Sequence, residues 1–229
     1  MSDIKDTENK GDVNLNDIYN LVKSGQDQKM KGEFDQAFKS YDEASDQSKR
    51  LQATIYDRLS VIECKKGNLE EAKKYANMGL ELYKSVNDKK GVACQLVQLS
   101  GLSIHDEQLD EAQNYIDDAV KIADEICDPA NKSLAYINKA VILRKKKWYM
   151  ESADLLSFTT SMISTEGVKD RSIKGYVYYN LGLLYCIDEF QNKNIAQSKK
   201  YFQDAKDIFI ELGDEVMERE IQSSLDDLS

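Results

Sequence analysis

Proline is nearly absent from these 229 residues, and Pro129 is the only one. A chain with one proline has almost no obligatory break in a helical hydrogen-bond ladder, so long helices are favoured. Histidine is equally scarce: His105 stands alone, which excludes a metal site built on paired histidines of this chain. The four cysteines, Cys64, Cys94, Cys127 and Cys186, are widely spaced and form no C-x-x-C pair. They read as reduced, mostly packed thiols of a cytoplasmic protein. The eleven glycines are scattered at turns and make no phosphate-cradling loop. Long apolar runs are missing too. The segment "YVYYNLGLLYCI" (176–187) contains Asn180 and is too short to span a bilayer, and "MSDIKDTENKGDVN" lacks the apolar core of a signal peptide. Positive charge is in deficit, with 31 Lys and Arg against 41 Asp and Glu, a net −10. Such a field repels phosphate backbones and anionic lipid, so neither nucleic acid nor membrane is expected as a partner. No cofactor and no metal is expected.

What the chain does have is recurrence. Five times a small residue is followed seven positions later by another, with a large residue usually between them. The copies are Ala37/Tyr41/Ala44, Ala72/Ala76/Gly79, Ala112/Ile116/Ala119, Ala153/Ser157/Thr160 and Ser198/Phe202/Ala205. Positions i, i+4 and i+7 share one helix face, and small side chains there let a second helix approach closely. The first members are spaced 35, 40, 41 and 45 residues apart, a period that indicates stacked helix pairs. The spacing predicts A helices over 15–31, 50–66, 91–105, 130–146 and 170–187. B helices are predicted over 34–48, 69–86, 109–126, 150–165 and 195–212. Turns fall at "KGEF", "KGNL", "VNDKKG", "CDPAN" and "LGD". Asp128 before Pro129 suits an N-cap with proline in the first helical turn. A last amphipathic segment, 214–228, suits a capping helix. Residues 1–14 read as a disordered acidic tail, and 15–228 as one repeat domain.

Particular motifs resemble the tetratricopeptide repeat (TPR). "NLGLLY" supplies Leu181, Gly182 and Tyr185; "KGEFDQA" supplies Gly32, Phe34 and Ala37; "KGNLEEA" supplies Gly67, Leu69 and Ala72. In repeats three and four, Glu107 and Trp148 stand where the turn glycine would be, and Trp148 is expected to plug its turn. The resemblance spans about 15–228, and the long periods are similar to the longer-repeat subclass that includes kinesin light chains. It implies an all-α fold, a right-handed α-solenoid of five TPR-like helix pairs plus a C-terminal capping helix. It also implies a concave groove, lined by A helices, that binds a peptide or a partner helix.

Carrying the family's groove places onto this register gives candidate binding residues. Repeat one offers Tyr19, Val22 and Met30 among others, and repeat two Asp57 and Lys65. Repeat three offers Val97 and His105, repeat four Asn138, Ile142, Lys145 and Lys146, and repeat five Tyr176 and Tyr179. The two tyrosines suit either a groove or the packing between A helices. Lys145 and Lys146 suit either a basic strip or the ordinary complement of a helix C-terminus. The lysine and asparagine pattern of the heat-shock chaperone carboxylate clamp is not matched. His105 lies eleven residues from Cys94 on one helix, about 16 Å away, so no Cys–His nucleophile forms there. The expectation is a monomeric, non-enzymatic adaptor or scaffold for an unidentified protein or peptide. A regulatory sensor, or a subunit of a larger complex, is the alternative.

Overall fold

The structure, a computed structural model, describes residues 14–228. Ten α-helices and no strand occur among them, the all-α class that the sequence predicts with one helix fewer than its eleven. The expected tail lies outside the described residues except for Asn14, whose side chain accepts from the Asn16 N–H at 2.9 Å and caps the first helix. The chain divides after Asp88 into two units. The first holds α1 (Leu15–Met30), α2 (Phe34–Lys65) and α3 (Leu69–Ser85). The second holds α4 (Lys89–His105), α5 (Leu109–Glu125), α6 (Pro129–Lys145), α7 (Tyr149–Thr165), α8 (Arg171–Tyr185), α9 (Ile195–Leu212) and α10 (Glu215–Asp226).

Three-residue turns join most of these helices, and each puts its middle residue in the left-handed region. Gly32 and Gly67 do so at no steric cost, whereas Asn87, Glu107, Cys127 and Lys147 do so with side chains. Lys147, not Trp148, therefore occupies the missing-glycine position of repeat four. Trp148 is the residue before α7 and is 56% exposed, so it plugs nothing. Pro129 enters α6 as expected, with the Asp128 carboxylate accepting from the N–H groups of Ala130 and Asn131. No cysteine is in a disulfide, and Cys94 and Cys127 are exposed rather than packed.

One prediction fails in the first unit. The B helix over 34–48 and the A helix over 50–66 are a single helix, α2, of 32 residues. Neither glycine nor proline interrupts residues 33–66. In the second unit, successive 17-residue helices are joined by three-residue turns, and such an arrangement would need five more residues than α2 has. The spacing of Ala37 to Ala72 is short by the same five residues against Ala72 to Ala112. α1 consequently packs on the first half of α2, where a Cβ on Gly25 would lie 3.0 Å from the Tyr41 ring. α3 packs on the second half, where the Ser60 hydroxyl donates to the Ala72 carbonyl at 2.8 Å.

Candidate functional site

The small residues form the seams of the helix pairs. Ala72, Ala76 and Gly79 are buried on α3, Ala112, Ile116 and Ala119 on α5, and Ser198, Phe202 and Ala205 on α9. On α7 the seam is shifted by one residue from the prediction. Ser152, Leu156 and Thr159 are buried, while Ser157 is exposed. Serine is tolerated there because its hydroxyl donates to the Ala140 carbonyl at 2.8 Å, which satisfies the buried group. The corrected anchor moves the groove register predicted for α6 by one place. Asn138 and Lys146 drop out of it, and Arg144 enters.

Within the second unit, α6 lies between α4 and α8, so these three helices form one continuous layer. Arg144 sits in the last turn of α6, where Tyr149, Tyr179 and Cys186 are the groups that bear on its charge. Burial depresses the pKa of its guanidinium, and among the described residues no carboxylate pairs with it. A partly buried guanidinium without an anion retains unused donors in a planar fork that matches a carboxylate. Lys145 is exposed beside it.

No family model and no curated protein sequence matches this chain. Solved structures do. The STAND protein with a tetratricopeptide repeat sensor from Pyrococcus horikoshii aligns at TM-score 0.54 and 18% identity over 92% of this chain. The chain spans 32% of that protein's length. BtubC from P. vanneervenii aligns at TM-score 0.53 and 16% identity, over 86% of this chain and 81% of its own. The fold is a TPR-like solenoid.

Val97 and Ile142, at 8% and 1% exposure, belong to the core and cannot meet a ligand. Asn138 is spent between helices, its Nδ2 donating to the Val97 carbonyl at 2.9 Å and to Ser100 Oγ at 2.7 Å. Lys146, the C-cap of α6, pairs with Asp110 in the first turn of α5 at 3.2 Å, and His105 is exposed at the end of α4. Asp57 and Lys65 lie in the first unit, where burial raises the Asp57 carboxyl against the opposing pull of Arg58. Of the predicted residues, Lys145 is the chain neighbour of Arg144 and Tyr179 bears on its charge.

Both tyrosines are partly covered by the chain itself. Tyr176 packs edge-on against Phe209 with centroids 5.1 Å apart, and Tyr179 tilts against Phe202 at 5.9 Å. α10 closes over them: Ile221 is buried in the cluster with Phe202 and Phe209, and Tyr179 donates to Glu220 Oε1 at 2.8 Å. Burial, reinforced by the Glu220 carboxylate, pushes the Tyr179 hydroxyl up to about 12. The unfolded tyrosine ionises near pH 10, so the folded form holds its proton more tightly. Stability from this group is complete below about pH 10 and is lost as pH rises towards about 12. Urea midpoints measured across that interval should fall steeply for the native chain and less steeply for Tyr179→Phe. Equal slopes would show that Tyr179 does not carry the linkage.

Proposed function

We propose that this chain is a non-enzymatic binding module that holds a peptide or partner helix against the α4–α6–α8 layer, with Arg144 receiving a carboxylate of the ligand. The observation that carries this reading is the partly buried guanidinium of Arg144, which no carboxylate among the described residues pairs and on whose charge Tyr179 and Tyr149 bear. Desolvating a cation without a counter-ion costs stability, so its presence is best accounted for by a partner that arrives. The neighbouring tyrosines supply aromatic surface, and exposed Lys145 adds long-range attraction. Among the described residues no group of three His, Cys, Asp or Glu could hold a metal, and no helix is long and apolar enough to cross a membrane.

The test compares Arg144→Leu with the native chain. Binding to an array of acidic–apolar peptides is read by fluorescence anisotropy, and thermal unfolding is read in parallel. Leucine keeps the packing and removes the charge, so affinity should fall about 10-fold to 100-fold. The melting temperature should hold or rise, since a partly buried charge has been removed. This opposite movement of binding and stability separates a binding residue from a structural one. If Arg144→Leu binds every peptide as well as the native chain does, the reading is wrong.

A further inference from the structure

We infer that the first unit is completed by a second copy of this chain, through exchange of its N-terminal hairpin. The unit carries two open apolar faces. On α1 and the first half of α2, Tyr19, Val22 and Met30 and then Phe34 and Phe38 stand exposed in helical stripes. On the second half of α2 and on α3, Ile55, Ile62 and Met78 are exposed. Beside them runs an open groove of about 620 Å³ lined by Tyr56, Met78 and Leu82 with Gln52, Asn77 and Glu81. In the second unit, each three-residue turn returns the next helix onto the one before it, as α6 returns onto α5. The five-residue shortfall in α2 removes that return, so its two hairpins stand at opposite ends of a helix about 48 Å long.

A shortened hinge that straightens into one continuous helix is the geometry that favours exchange between identical chains. Two further observations select a second copy over a foreign partner. One foreign ligand would cover one face and leave the other open, whereas a two-fold arrangement covers both faces of both copies. The charges also complement each other. Residues 14–48 carry four cations against seven anions, net −3, and residues 49–88 carry eight against six, net +2. Antiparallel α2 helices place the acidic half of one copy on the basic half of the other. A monomer is the state expected from the sequence alone; the open faces argue for a dimer.

Sedimentation velocity of the full chain over a micromolar to near-millimolar series tests this. The native chain should show a reversible species of twice the 26.1 kDa chain mass. Phe38 is 71% exposed, so Phe38→Glu leaves the monomer helical by circular dichroism and should weaken dimerisation at least 10-fold. A second variant inserts five residues containing glycine after Ser48 to restore the missing turn. It should be monomeric at concentrations where the native chain is dimeric. A native chain that stays monomeric throughout overturns the proposal. So does a dimer that withstands both variants, because its interface then lies elsewhere.

Discussion

Replacing Gly182 with leucine should cost about 3 kcal/mol or prevent the second unit from folding. A Cβ built on Gly182 would lie 2.6 Å and 2.7 Å from ring atoms of Phe202. That ring has nowhere to go: it is buried, flanked by the Tyr179 ring, and clustered with Ala205, Phe209 and Ile221. The Gly182 carbonyl is also pinned by the Ser198 hydroxyl at 2.7 Å, so the backbone cannot retreat without losing a buried hydrogen bond. Alanine at this position sets two effects against each other. Its helix propensity gains about 1 kcal/mol over glycine, while the clash costs about 1–3 kcal/mol, so the net sign should be destabilising. Gly101 is the control, because the nearest neighbour of its Cβ would be Asn138 Nδ2 at 3.8 Å, an ordinary van der Waals contact without a clash. Gly101→Ala should stabilise by up to about 1 kcal/mol. Urea unfolding of the three single variants, and of Gly182→Ala combined with Phe202→Leu, checks the account. The second substitution should recover part of the loss. A stabilising Gly182→Ala would show that the seam can yield.

The same seams explain how much of this fold is legible in the sequence. Alanine at positions such as Ala112 and Ala119 announces a close helix approach, and the predicted helices of the second unit match the observed ones to within two residues at every end. Repeat four misleads because Ser152 and Ala153 are both small and both buried, and the sequence does not show which one faces α6. The hydrogen bond from Ser152 to Ala140 decides it, and Ser60 to Ala72 and Ser198 to Gly182 are bonds of the same kind. That one-residue slip is what hid Arg144 and drew Lys146 into the predicted groove. The fused helix α2 was legible in its missing turn residues and short period, but the expectation of a regular pair overrode both signals. The capping helix α10 is legible in the amphipathic pattern of 214–228, but its covering of Tyr176 and Tyr179 is not. That covering depends on packing between segments about forty residues apart, which local periodicity does not encode.

Phe190→Ala should destabilise the second unit by about 3–5 kcal/mol, although Phe190 lies in a connection rather than a helix. The segment between α8 and α9 is longer than the other turns, and an unpacked insertion there would tolerate substitution. This one is packed. Phe190 is 2% exposed and clusters with Ala153 and Leu184, edge-on to Tyr185 at 5.4 Å and to Tyr149 at 6.3 Å. Its backbone is tied down as well: Phe190 N–H donates to the Ile187 carbonyl, Lys193 N–H to the Phe190 carbonyl, and Asn194 N–H to the Tyr185 carbonyl. An ion pair between Lys193 and Asp188 closes the loop. Removing the ring therefore leaves a cavity that the anchored loop cannot collapse to fill, which places the cost at the upper end for a large-to-small change. Phe190→Leu should recover more than half of it, since most of the buried volume is kept. The consequence reaches the proposed binding site through Tyr149, which touches Phe190 on one side and bears on Arg144 on the other. Phe190→Ala should thus weaken peptide binding as well as stability, moving both in the same direction, whereas Arg144→Leu moves them apart. Should Phe190→Ala unfold at the native urea midpoint, the plug would be surface decoration, and its support of Tyr149 would fall with it.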